Sequence, residues 1–571
     1  MVKLFLVRDV ILLKAKSNTK KKNSKKILVK NTFLQGAFIS TLGIVISKIL
    51  GILYVIPFNA VVKEQGGALY GYAYTLYSLF LGLSSAGIPL AVSKIISEYH
   101  TLGYYNAKMR AFKLGRSVAV LLGFIAFIVL FIFAPSISHA ILGDLSGGNT
   151  LSDVTFVIRI ISTAIVVVPL LSIYRGYLEG HKYLAPTSIS NVIEQVVRVG
   201  LIIFGSFLAI KVFHQSIATA VGIAVFGATA GALVSYFYLL DVVRKNKKAL
   251  NERDLNVKEP TITNQAILKK ILLYSLPFIM IDGFKSLYDF IDMTTVVKTL
   301  ADTLSYSVSD AESVMSIIST WGNKFNMIIS AVSTGVIVSL IPNLTASFVV
   351  GDKKDVNKKV NQTLQVLLFL TVPMTIGLSF LAKPVWMVFY GSSKYGASVF
   401  CYFVYIALFM SIYTATVTIV QVLKDYKIVF LSLFLGSLLK ILFNVHFMIL
   451  FDSFGIPAYY GSITATIFGY FVSLLICMYA LYKRFAIHYQ KTLREMFPIG
   501  LGVVFMICSM FFLRLFIPVV SSSRFLNIPI IMVYTLVGAS VYFFITYRMG
   551  TFKRIVGDEF FGKLSKKLKK S

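Results

Sequence analysis

Cysteine is almost missing from this chain: three residues, Cys401, Cys477 and Cys508, each inside an apolar stretch. Their spacing fits neither a disulfide framework nor a thiolate metal site, so they are read as small core residues. Charge is equally scarce. Only 14% of the 571 residues are Asp, Glu, Lys or Arg, against about 25% for a soluble protein. Long polar loops are lacking, and no Gly-x-x-x-x-Gly-Lys-Ser/Thr phosphate loop occurs, which excludes a pump carrying its own ATPase. The six histidines are scattered, so no nucleophilic triad and no metal site is expected. No catalytic residue and no cofactor is expected either. What the chain does have is apolar length: 57% hydrophobic residues and a mean hydropathy of +0.79. The fold class expected is an all-α polytopic membrane protein.

About fourteen apolar segments are long enough to cross roughly 30 Å of hydrocarbon, at about 20 residues each. They run approximately over 33–62, 70–97, 117–142, 154–178, 186–210, 216–243, 271–299, 314–348, 361–390, 397–422, 428–451, 456–482, 496–517 and 526–548. The formal charge of +32 then becomes a topology signal rather than a nucleic-acid footprint. Most Lys and Arg residues fall in the two termini and the even-numbered loops. The odd-numbered loops carry Lys63, Lys211, Lys298, Lys383, Lys394, Arg514 and Arg524, balanced by acids such as Glu64, Asp144, Asp310 and Glu312. This is the positive-inside pattern, which puts both termini in the cytoplasm and the basic loops beside anionic lipid. The first sixteen residues, MVKLFLVRDVILLKAK, lack a small-residue cleavage site and are not read as a signal peptide.

The polar stretch 244–268 divides the chain. On each side a similar order recurs. GIPLAVSKIISEY (87–99) leads through a basic loop to an apolar helix ending at Ala134-Pro135; SLIPNLTASFVVG (339–351) leads likewise to Lys383-Pro384. Spans one and seven each carry a mid-helix lysine, Lys48 and Lys285. The expected organisation is a basic tail (1–32), an N-lobe of six spans (33–243), a linker (244–268), a C-lobe of six spans (269–484), two appended spans (485–548) and a second basic tail (549–571). A parallel repeat of this kind places a transport site between the lobes.

Charges at mid-membrane depth mark that site. An isolated cation in lipid costs about 2.5–3.5 kcal/mol, so such residues face the bundle interior or a wet cavity. Lys48 and Arg198 are the deepest candidates for binding an anionic group, with Lys94 and Arg159 nearer the faces. Glu194 is spaced to pair with Arg198 on one helix. In span seven, Asp282, Lys285, Asp289 and Asp292 fall within an arc of about 80° at about 100° per residue. They are gating or coupling candidates, expected to pair with Lys48 or with Lys324 on span eight. A cationic chamber with low-dielectric walls attracts a phosphate or diphosphate.

The stretches ISKILGILYVIPFNAVVKEQGGALYGYAYTLYSLFLGLSSAGIPLAVSKIISEY (46–99), RGYLEGHKYLAPTSISNVIEQVVRV (175–199) and GIPAYYGSITATIFGYFVSLL (455–475) resemble the polysaccharide-exporter and stage V sporulation protein B branch of a large exporter superfamily. Within it the chain is most similar to the lipid II flippases of Gram-positive bacteria. The resemblance implies a V-shaped bundle of two six-helix lobes with two extra C-terminal helices, in the cytoplasmic membrane. It implies a lipid-linked anionic sugar as substrate, moved by alternating access, and proteins of cell-wall synthesis as partners. Lys48 stands where those flippases place a first arginine on span one; the second such position falls near the uncharged Tyr54. The other readings are a cation-coupled multidrug exporter, which often carries an acid on span one where 33–62 has none, and a non-transporting membrane scaffold.

Overall fold

The computed structural model describes residues 46–85, 87–250 and 259–556. The expected basic tails (1–32 and, from 557, 549–571), the start of span one and linker residues 251–258 lie outside the described residues. Helices dominate throughout, and no strand occurs among the described residues.

Residues 46–53 are helical and lead into α1 (Val55–Ser85), which is broken at Lys63, where φ is 59° and ψ −164°. That break is a reversal. Tyr54 and Tyr70 are sixteen residues apart, which a straight helix would stretch over about 24 Å. Their hydroxyls instead meet at 3.2 Å, and Phe58 packs edge-on against Tyr70 at 5.1 Å. Spans one and two are therefore antiparallel arms of one tight hairpin. Gly66 permits it, because a Cβ there would lie 2.5 Å from the Val62 Cβ.

The first half continues with α2 (Ile88–Thr101), α3 (Tyr105–Ile132), α4 (Ala134–Leu142), α5 (Leu151–Gly180), α6 (Leu184–Gly200, extended by π-turns Leu201–Gly205 and Leu208–Val212) and α7 (Ile217–Lys245). The second comprises α8 (Asn264–Lys298), α9 (Val308–Ser316), α10 (Asn323–Val350), α11 (Lys353–Phe380), α12 (Ala382–Tyr390), α13 (Gly396–Val422), α14 (Tyr426–Ser453) and α15 (Tyr459–Phe485). Two more helices, α16 (Gln490–Leu513) and α17 (Asn527–Arg548), close the bundle. Local chemistry sets the starts. Thr150 and Asp153 form a reciprocal capping box on α5, and Ser216, Thr263, Ser307 and Asp352 each accept a backbone N–H of the helix that follows. Proline begins α2 and α4.

Eleven helices among the described residues are long and apolar enough to cross a membrane, one of them the merged stretch Val55–Thr101. Their outward faces carry exposed Phe204, Phe237, Leu442, Phe512 and Leu536, as lipid contact requires. Within the first half α5 packs on α1, α2, α3 and α7; within the second α13, α14 and α15 pack together with α10 and α11. Helices α16 and α17 pair and lie on α11 and α12. Helix α8 touches both halves: α1, α2, α3 and α4 on one side, α14 and α15 on the other.

Candidate functional site

A cavity of about 720 Å³ lies between the halves. The first half supplies Lys48 and Tyr54 before α1, Tyr70 and Tyr74 on α1, Arg175 on α5, and Glu194 and Arg198 on α6. The second supplies Asp289 on α8, Ser319 and Thr320 in the π-turn Ile317–Trp321, Lys324 and Ser330 on α10, and Met410 on α13.

One carboxylate holds two guanidinium groups. Glu194 Oε2 accepts from Arg175 Nη2 at 2.8 Å and Oε1 from Arg198 Nη2 at 2.7 Å, while Arg175 Nε donates to Ser190 Oγ at 2.7 Å. Glu194 neutralises one charge, so the cluster keeps one in excess. Arg198 Nε is buried without a hydrogen-bond partner among the described residues, as are Ser47 Oγ and Tyr74 OH from the first half and Ser330 Oγ from α10, all in residues that line the cavity. Buried donors without partners are costly, and this set is directed at a space a polar ligand can fill. Across the cavity the Lys324 ammonium sits 5.0 Å from the Tyr54 ring centre. The position near which the resemblance expects a second cation on span one is thus served from α10. With Lys48, the wall carries four cations against Glu194 and Asp289.

The remaining candidates lie elsewhere. Lys94 rests over the Tyr274 ring at 4.0 Å, where α2 meets α8. Arg159 is exposed on α5 against Phe131, its Nε 3.4 Å from the Phe131 carbonyl. Neither lines the cavity. The span-seven stripe divides three ways: Asp289 opens into the cavity, Asp282 and Lys285 line a side pocket of about 160 Å³ with Tyr413 and Gln421, and Asp292 turns into the second half. There Asp292 meets Lys440 of α14 rather than Lys48 or Lys324. The Lys440 Nζ, fully buried, has four oxygens around it: Asp292 Oδ1 and Thr466 Oγ1 at 2.6 Å, Asn444 Oδ1 at 2.8 Å and the Ser462 carbonyl at 2.9 Å. Arg175 is a lining residue that was not among the sequence candidates; the structure shows Glu194 within reach of two cations.

The halves are tied at both ends of the cavity. At one end Lys270 Nζ meets Glu98 Oε1 at 2.6 Å, and Glu259 accepts the backbone N–H of Asn106 at 2.9 Å. At the other, Thr320 Oγ1 donates to the Gly67 carbonyl at 2.8 Å, and Glu312 accepts two N–H groups from Asn149 at 3.0 Å each. Burial pushes the Glu312 carboxyl up to about 7.

An apolar groove of about 390 Å³ runs between α10–α11 and α16–α17, lined by Ile328, Met374, Met506, Met510, Gly538 and Phe543. Its two tyrosines turn their hydroxyls away: Tyr534 donates to the Ile517 carbonyl at 2.6 Å and Tyr542 to the Phe369 carbonyl at 2.7 Å. Helix α10 is the wall shared by both spaces. Lys324 and Met327 face the cavity, and Ile328 and Ile329 face the groove.

The family model described as "Polysaccharide biosynthesis protein" matches residues 33–342. The chain is 33% identical over 536 residues to the lipid II flippase MurJ of Bacillus subtilis (strain 168), covering 92% of this chain and 96% of that protein. Among solved structures it is similar to a lipid II flippase MurJ in an inward closed conformation, with a TM-score of 0.60, 17% identity, and 91% of this chain and 99% of that one covered. It is also similar to an inward-facing multidrug resistance MATE family transporter, with a TM-score of 0.60 and 13% identity over 78% of this chain and 98% of that one. At these identities the structural likenesses establish the fold.

Proposed function

The chain belongs to the polysaccharide biosynthesis protein family, and from that premise we propose that it is a flippase for a lipid-linked cell-wall precursor, lipid II or a related undecaprenyl-diphosphate-linked sugar. The observation that carries the reading is the position of α10. It separates a cationic cavity, sized for a polar headgroup, from an apolar groove suited to a polyprenyl chain. Lys48, Arg175, Arg198 and Lys324 attract the diphosphate, the guanidinium groups offering paired N–H donors and the lysines point charges. No bond is made or broken. The protein is a transporter, not an enzyme; it exposes the cavity to one leaflet and then the other while the tail stays in lipid or groove.

The charge pattern of the loops supports cytoplasmic termini. The Glu98–Lys270 end then faces the cytoplasm and the Asn149–Glu312 end faces outward. The basic cytoplasmic loops rest against anionic lipid headgroups, and proteins of cell-wall synthesis supply and consume the substrate. A multidrug exporter of cationic compounds fits less well, since four cations line this cavity. A scaffold would tolerate their loss.

The test is depletion in cells with no redundant flippase, followed by measuring how much lipid-linked precursor is accessible at the outer leaflet. Loss of outer precursor with accumulation inside is expected. Normal appearance of precursor outside would end the proposal, and dye efflux driven by an ion gradient would favour the exporter.

A further inference from the structure

We propose that Glu312 is the proton-binding site of a latch between the two halves, holding its end of the cavity shut while protonated and loosening it when ionised. The transport reading above is needed only to say that this end faces outward.

The side chain is completely buried, yet no cation is set against it among the described residues. Both oxygens are instead occupied by neutral donors from the opposite half. The Asn149 backbone N–H donates to Oε2 and its Nδ2 to Oε1, each at 3.0 Å, and the same Nδ2 reaches the Gln65 carbonyl of α1 at 3.1 Å. The loop is shaped for this approach: a Cβ on Gly148 would lie 2.5 Å from Glu312 Oε2.

The two Asn149 donors favour the ionised form, but burial outweighs them, and the other groups around it do not favour a charge. From α1, Tyr72 faces it with a hydroxyl that is buried without a hydrogen-bond partner among the described residues. From the first turn of α5, Asp153 adds a like charge. On its own helix, Asp310 is held by Lys394 from the loop before α13, at 2.8 Å. At the end of α8, Lys298 lies toward Gly143 instead, and Asp302 in the turn that follows is exposed. Burial therefore dominates and raises the carboxyl to about 7 in the closed arrangement.

Parting the halves would take away Asn149 and let water reach the carboxylate, returning it to its ordinary range of about 4.3. Closing thus takes up a proton and opening gives it back. The sign follows. The ratio of closed to open is greatest below the ordinary carboxylate range and falls about tenfold per pH unit until about 7. Above that it is level, because the carboxyl is then ionised in both arrangements.

The latch can be read as a distance, without substrate, so that its failure and the failure of the flippase reading stay separate. Cysteines replacing Lys211 and Ser392, one from each half at this end, carry spin labels in a chain whose Cys401, Cys477 and Cys508 are serines. In lipid nanodiscs the long-distance population should rise between pH 5 and pH 7 and then level off, and Glu312→Gln should abolish that dependence. An unchanged pH response in Glu312→Gln, or none in the parent, would overturn the latch. Asn149→Ala provides a second arm: it should open this end at pH 5, and a closed distance there would also overturn the proposal.

Discussion

Replacing Lys440 by Met removes an ammonium but keeps the length of the side chain. The three protons of Lys440 Nζ serve four acceptors, one of them the Asp292 carboxylate. Without the ammonium, Asn444 keeps its bond to Thr295 Oγ1 at 2.7 Å and Thr466 keeps its own to the Ser462 carbonyl at 3.1 Å, so the neutral groups are partly satisfied. The carboxylate is not. Breaking one side of such a buried pair costs about 3–5 kcal/mol, whereas replacing both sides by apolar groups is neutral or favourable by about 1–4 kcal/mol. Lys440→Met and Asp292→Leu should each lose several kcal/mol, and the double variant should recover most of it. The assay is a double-mutant cycle on unfolding in lipid nanodiscs. A coupling energy under about 0.5 kcal/mol would refute the reasoning, since that is the scatter expected of independent sites.

Three further outcomes follow from the site. Lys48→Ala and Lys324→Ala should each raise the substrate concentration for half-maximal flipping by about tenfold, about 1.4 kcal/mol per lost contact, with thermal stability unchanged. Reconstituted vesicles and a fluorescent lipid-linked substrate would measure both. Gly538→Trp should fill the groove, because a Cβ there already lies 3.2 Å from Met510 Sδ and 3.3 Å from Met506 Cγ; flipping of a full polyprenyl substrate should slow while a short-chain analogue is spared. Glu312 has a raised folded-state value, so it weakens folding as pH rises from the ordinary carboxylate range to about 7. Glu312→Gln should therefore stabilise the protein more at pH 8 than at pH 5 in thermal unfolding.

The helices were legible because hydropathy reports depth. The segments expected at 397–422 and 526–548 are Gly396–Val422 and Asn527–Arg548. Spacing alone could not show lateral neighbours. Asp282, Lys285, Asp289 and Asp292 do share a narrow arc, but their helix crosses from one half to the other. Each residue along it therefore meets different company. Arg175 and Glu194 stand on different helices, α5 and α6, and only the fold brings them together. Glu312 read as one more polar residue beyond a span. Its burial depends on a loop contributed from 163 residues away.

Helix α8 has a consequence for how such a machine can be tuned. It is 35 residues long, touches both halves, contains Pro277 and passes at its end into the π-turn Thr299–Thr303. Proline and π-turns are where helices bend. On the proposed transport reading, the helix that brings Asp289 to the cavity is also the one on which the two halves would rock. Grip and speed are geared together: a substitution that stiffens α8 to hold its load more firmly also slows the stroke, and selection acting on either property drags the other with it.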